Sequence, residues 1–253
     1  MKYLFLDTET TGKNEADRLV QLAYYAKDTG FVNELFKPPL PITYGAMGVH
    51  HITNDMVRGK PSFRESATYQ DLAALLDSGH LIVAHNARFD VDMLRREGLP
   101  IDTYVDTLKL AKKYVENTDS FSLQALRYRL GLKPTLLAQS DVVAHDALGD
   151  VAILYELSRW LFRTIKQEHQ LDNDGVAAIF IKSCEPEVLD IVTFGKHKGE
   201  KWEDVARGHR DYLEWLWAEK QQEPGPKDPD LLCTLKHYLE GYAKARAELM
   251  KAT

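Results

Sequence analysis

Cysteine is scarce in this 253-residue chain: there are two, Cys184 and Cys233. They are too few for a disulfide framework and too far apart for a thiolate metal site, so a reducing, cytoplasmic setting is the expectation. No apolar run approaches the roughly 18 residues that a membrane helix requires, which excludes a bilayer span. The opening MKYLFLDTET has too short an apolar stretch for a secretory signal, and it ends in carboxylates. There is no HExxH motif, and His50 and His51 are adjacent rather than at helical ligand spacing, which argues against a zinc hydrolase. An excess of positive charge is also missing. Lys and Arg total 32 against 38 Asp and Glu, a net charge of −6. Non-specific coating of long duplex nucleic acid draws its affinity from neutralising many phosphates, and this balance argues against it. It leaves room for a protein that grips a few nucleotides, because divalent cations in an acidic site can supply the missing positive charge. With 44% apolar and 28% charged residues and no internal repeat, collagen-like, low-complexity and wholly disordered chains are excluded as well.

What is present reads as strands first and alternating strands and helices afterwards. Residues 2–6, 18–27 and 31–37 form an antiparallel meander with a tight turn at Asp28–Thr29–Gly30, closed by a loop containing Pro38, Pro39 and Pro41. A helix over 63–76 with Ser62 as cap, a buried strand over 81–84, and a helix from Asn86 to Glu97 stopped by Gly98 come next. Further helices start at Asp106, span Ser122–Leu130 before Gly131, and run from 146 to 166. This pattern predicts an α/β domain over 1–168, with a mixed sheet flanked by helices. Residues 169–189 read as a connector in which 177–181 packs locally. Residues 190–253 read as a small α+β domain, with a strand over 190–194, a GKHKG turn, a helix capped by Asp211 and a last helix opened by Asp228–Pro229.

Four acids stand where a core is expected. Asp7 and Glu9 lie two apart at the end of an apolar strand and share one face. Asp90 sits beside Val91 and one turn before Leu94, and Asp150 falls amid the stripe Ala147, Leu154, Leu157 and Leu161. Each has an ordinary reading alone: a turn residue for Asp7, or an acid favoured by the helix dipole for Asp90. Together they would repel and suffer desolvation unless a divalent cation lay between them. Oxygen ligands without cysteine suit magnesium or manganese, and two such ions stabilise the attacking and leaving oxygens of phosphodiester hydrolysis. That chemistry needs a base, and His145 is the candidate. Five residues before Asp150 is a rotation of about 140°, so it belongs at or just before the helix start. Its ordinary pKa suits proton transfer at neutral pH.

DTETTG (7–12), HNARFD (85–90) and HDALGD (145–150) resemble, in order and spacing, the three motifs of the DEDD exonucleases with a catalytic histidine, 3′→5′ exonucleases of ribonuclease-H-like fold. GVHHIT (48–53) resembles the loop such enzymes place against the terminal nucleotide. The resemblance implies that Asp7, Glu9, Asp90 and Asp150 hold two magnesium ions, with Asp7 bridging and manganese able to substitute. It implies that His145 deprotonates the attacking water and that 5′-mononucleotides leave from the 3′ end of DNA, single-stranded or frayed. Thr10 and His50 would then contact the terminal nucleotide, while Met47, Asn86 and Phe89 shape the pocket. From the sequence, Phe89 is equally a stacking ring or a core residue.

TFGKHKGEKWEDVARGHRDYLEWLW (193–217) and LLCTLKHYLEG (231–241) resemble the tail of one bacterial branch of that family. Lys196, His197 and Lys198 read either as a phosphate-gripping loop or as a solvated turn. Trp202, Trp215 and Trp217 read as the small domain's core rather than a stacking surface. Lys109, Lys112, Lys113, Arg127 and Arg129 read as a substrate-facing patch or an ordinary helix surface. Two other functions stay open at this point: an RNA-trimming exonuclease, separated only by recognition of the 2′-OH, and a non-catalytic nucleic-acid-binding module.

Overall fold

The computed structural model describes residues 1–136, 147–222 and 228–251, with side chains through 241. Alternation along the first strand decides the architecture. β1 (Lys2–Thr10) sends Leu4 and Leu6 to one face and Phe5 to the other, and both sets are buried. The strand runs past the expected 2–6 because β2 (Leu19–Ala26) continues beside it, pairing Asp7 with Ala23, Thr8 with Leu22 and Glu9 with Gln21. β3 (Gly30–Leu35) completes the antiparallel meander. The connection that follows holds two short helices the sequence did not announce. α1 (Tyr44–His50) is capped by Thr43 and α2 (Asn54–Val57) by Thr53, and Val20, Ile42, Ile52 and Val57 cluster beneath them.

The helix expected over 63–76 breaks into a 3₁₀ turn, Phe63–Glu65, and α3 (Ala67–Asp77), whose cap is Ser66 rather than Ser62. β4 (His80–Ala84) lies parallel to β1, and α4 (Arg88–Arg96) follows. Asn86 does not cap α4. It takes a left-handed conformation (φ 63°), which its short polar side chain tolerates. β5 (Tyr104–Asp106), three buried residues missed by the sequence reading, pairs parallel to β4 and gives the sheet order β3-β2-β1-β4-β5. Asp106 then caps α5 (Thr107–Tyr114), and α6 (Leu123–Leu130), α7 (Ala147–Glu168) and α8 (Asn173–Lys182) complete the unit. α3 and α4 cover the Leu4–Leu6 face through Leu72, Val91 and Leu94. α7 and α8 cover the Phe5 face through Val151, Leu154, Leu157, Val176 and Phe180.

The chain divides into two compact units, Met1–Cys184 and Glu185–Thr253. The stretch expected as a connector therefore contains α8, a helix whose Val176 and Phe180 are core residues. In the second unit the strand expected over 190–194 shrinks to one bridge, Ile191 with Lys201. Among its described residues three helices dominate: α9 (Trp202–Gly208), α10 (Arg210–Gln222) and α11 (Pro229–Lys251). Asp211 lies inside the first turn of α10 rather than before it, whereas Asp228 caps α11 through the N–H groups of Asp230 and Leu231. Trp202, Val205, Leu213, Leu216, Leu231 and Leu235 form this unit's core. No helix among the described residues is long and apolar enough to cross a membrane.

Candidate active site

The site begins where β1 outruns its parallel neighbour. The last pair with β4 is Phe5 with Val83, so residues 7–10 project beyond that strand's end. Asp7 and Glu9 share the face of Phe5, which α7 covers, and both are half-buried. Opposite Asp7 stands Ala23, whose small side chain leaves space, and opposite Glu9 stands buried Gln21, whose amide donates to Asn33 (2.8 Å). Beyond them the chain turns tightly. Thr10 donates its hydroxyl to the Gly12 carbonyl (2.6 Å), and buried Asp17 accepts from the Thr11 hydroxyl (2.7 Å) and the Asn14 N–H (2.6 Å).

Asp90 enters from α4. Its Oδ1 accepts from both the N–H (3.0 Å) and the hydroxyl (2.7 Å) of Thr8, the residue between the two strand acids. With β4 ended, this carboxylate takes the place of the missing strand. Burial pushes its pKa up to about 7, against the opposing pull of the Thr8 hydrogen bonds, and nearby Asp106 adds to the rise. Asp106 is itself raised by burial; it accepts from the N–H of Asn86 (3.2 Å) and of Leu108 (2.9 Å), tying the turn before Asp90 to the start of α5. His85 spans the same region, with Nε2 at the Phe121 carbonyl (2.8 Å) and Nδ1 at the Thr107 hydroxyl (2.9 Å). Its pKa is lowered by burial.

Asp150, half-buried, occupies the first turn of α7, the helix packed on the Asp7 face. Gln124 of α6 donates its amide to Asp150 Oδ1, while its own Oε1 is buried and finds no partner among the described residues. His145 lies outside the described residues. Among those described, no three His, Cys, Asp or Glu side chains close into a metal-ligand cluster. The donor set is carboxylate oxygen throughout, which fits a hard divalent cation, and a cation beside Asp90 would offset the cost of its burial.

The expected nucleotide contacts divide. His50 is buried, with Nδ1 accepting from Ile52 N–H (3.0 Å), so Nε2 donates to the Thr10 carbonyl (3.2 Å). Burial lowers its pKa and keeps it neutral. Nδ1 thus closes the turn within the 43–53 segment, and Nε2 fastens that segment to the end of β1. Met47 is half-buried against the small cluster under α1, and Asn86 is exposed at the turn. Phe89 is half-buried and belongs to none of the apolar clusters among the described residues, which favours the surface reading over the core one. Arg129 spends its guanidinium on the carbonyls of Glu116 and Asn117. In the second unit Lys196 and Lys198 are exposed, but His197 is buried, packed against His209 and Tyr212 with Nδ1 at Glu200 (3.0 Å), and does not face a phosphate. The sequence reading missed Thr8, Asp106 and Gln124. Thr8 had one signal, its place between two acids on a strand; Gln124 had none.

Comparison with known proteins fits this geometry. The RNase_T family, described as Exonuclease, matches residues 4–158. Exodeoxyribonuclease 10 of Escherichia coli is 29% identical over 241 residues, 93% of this chain and 97% of that protein. DNA polymerase III subunit epsilon of Haemophilus influenzae is 28% identical over 246 residues, 85% of this chain and 90% of its own length. Among solved structures, exonuclease X in complex with 5′ overhanging duplex DNA superposes with a TM-score of 0.53 at 26% identity, over 70% of this chain and 99% of that one. The nuclease domain of 3′hExo, a DEDDh family member bound to rAMP, gives a TM-score of 0.50 at 13% identity, covers 63% of this chain and 91% of that one, and shares the fold. The chain belongs to the RNase_T exonuclease family and has its ribonuclease-H-like fold. It is a nuclease, a hydrolase homologous to exodeoxyribonuclease 10 and to the epsilon subunits.

Proposed function

We propose that this protein is a magnesium-dependent 3′→5′ exodeoxyribonuclease that releases 5′-mononucleotides. The observation that carries the reading is the grip of Thr8 on Asp90, which fixes a buried carboxylate on the residue that stands between Asp7 and Glu9 at the open end of the sheet. Binding alone would not require an acid at this position. A pair of divalent cations supplies, when bound, stabilisation of the attacking and leaving oxygens. Asp7, Glu9, Asp90 and Asp150 would hold them, and manganese would substitute for magnesium. His145 takes the proton of the attacking water. Thr10, Met47, His50, Asn86 and Phe89 shape the pocket for the terminal nucleotide, His50 by holding the 43–53 segment in place. DNA as substrate follows the relatives named for it, exodeoxyribonuclease 10 and exonuclease X in complex with duplex DNA.

End-labelled DNA and RNA of matched sequence, incubated with magnesium, manganese or chelator, test the reading. Stepwise shortening of DNA from the 3′ end, abolished by chelator, is the expected result. Faster loss of RNA would move the assignment to RNA trimming, and no cleavage of either would leave a binding module. His145→Ala should slow turnover by roughly 100-fold with little change in metal affinity measured by titration calorimetry.

A further inference from the structure

We propose that the second unit carries a platform for single-stranded nucleic acid, made by Trp215, Tyr212 and Lys196. The contrast among its tryptophans is the first observation. Trp202 is fully buried in the core, whereas Trp215 is 57% exposed and lies outside that cluster among the described residues. A small domain has few large apolar side chains to spare, so an exposed tryptophan is informative where an exposed leucine would not be. On α10, Trp215 stands one turn after Tyr212, and the two rings lie 5.7 Å apart at 33°. Tyr212 is buried and backs the exposed ring. Lys196 approaches from the GKHKG turn and places its ammonium 5.1 Å from the Tyr212 centroid. Gly195 makes that approach possible: its φ is 67°, and a Cβ there would lie 3.2 Å from the Tyr212 hydroxyl. Between this turn and α10 opens a recess of about 570 Å³.

The walls select the occupant. Asp211 and Glu219 line the recess beside Lys196 and Lys220, so the charges balance and the recess is not a general polyanion trap. Its distinguishing surface is an aromatic face beside the Lys196 ammonium. That combination suits an unpaired base with its phosphate, and a duplex, whose bases are stacked on each other, cannot offer it. The inference rests on the reading that the first unit acts on nucleic acid, and it gives the second unit the task of holding a single strand.

The full-length protein in chelator, which stops hydrolysis, is titrated with a single-stranded oligothymidylate while tryptophan emission is followed. Saturable quenching is expected, and Trp215→Phe should remove most of it. Anisotropy of a labelled strand should show Trp215→Ala binding about tenfold more weakly, with Trp215→Phe close to wild type because a ring is retained. Lys196→Ala should reduce the slope of log affinity against log salt by about 0.7, the value for one phosphate on a single strand. Unaltered quenching in Trp215→Phe, or equal quenching by a blunt duplex, would overturn the platform. Cleavage assayed separately with magnesium keeps the two readings apart: cleavage without Trp215-dependent quenching sinks the platform alone, and quenching without cleavage sinks the nuclease assignment alone.

Discussion

Asp90 keeps its proton in the folded protein up to about pH 7, whereas the same side chain in an unfolded chain ionises near 3.8. Between those values the folded state binds the extra proton. Stability of the metal-free protein therefore falls as pH rises through this window and is lowest above it. The separation corresponds to on the order of 4 kcal/mol. Asp90→Asn retains an oxygen for the two Thr8 donors and removes the titration. In chelator, wild type and Asp90→Asn should melt at similar temperatures near pH 4, and the variant should melt clearly higher at pH 8. Calorimetric scans across the window check this, and parallel curves would mean the carboxyl is not desolvated. Gly12 presents a steric case. A Cβ there would stand 2.6 Å from Asp17 Oδ2, and Asp17 cannot retreat without breaking its bonds to Thr11 and Asn14. Gly12→Ala should cost about 2 kcal/mol, at the level of other overpacked sites, and shift the denaturant midpoint accordingly.

At the scale of elements, the contact between α6 and α7 sets the direction of a candidate ligand. Gln124 reaches from one helix to the Asp150 carboxylate on the other, and its Oε1 would meet that carboxylate unfavourably if the amide turned over. Gln124→Leu keeps the bulk and removes the donor. It should weaken manganese binding by about 10- to 100-fold, as loss of a partner behind a metal ligand commonly does, with little change in melting temperature. Titration calorimetry reads the first quantity, and Gln124→Glu, which replaces the donor with a like charge, should be worse than Leu. None of this was legible in the sequence, because a helix–helix register is not written in either helix. The acids themselves were legible, since a carboxylate amid Leu4–Phe5–Leu6 or along the α7 stripe contradicts the pattern around it. β5 was not, having only three residues. α8 was hidden because AAIFI is apolar at five successive positions, so no single face stands out. His197 misled for the opposite reason: two flanking lysines suggested solvent, while its own ring turned inward against Tyr212.

For the whole molecule, the question is where the first unit ends. The sequence reading placed the boundary at 168, at the end of α7; the packing places it at 184. The sixteen residues between them carry two separate contributions. Val176 and Phe180, 0% and 2% exposed, complete the core on the α7 face. Ser183 accepts the Asp106 N–H (2.8 Å), which holds the strand end that in turn supports the Asn86 turn and Asp90. Re-exposing the two apolar side chains costs about 3–6 kcal/mol, a large part of the stability of an ordinary domain. A chain ending at 184 should therefore melt as one cooperative unit and retain the metal-dependent cleavage proposed for the first unit. A chain ending at 168 should melt far lower or fail to fold. If both truncations fold equally well, α8 is dispensable and Asp106 keeps its place without Ser183. If only the longer one folds, its cleavage of short and long strands then measures what the second unit adds: cleavage of trinucleotides should match the full chain, and affinity for long single strands should fall.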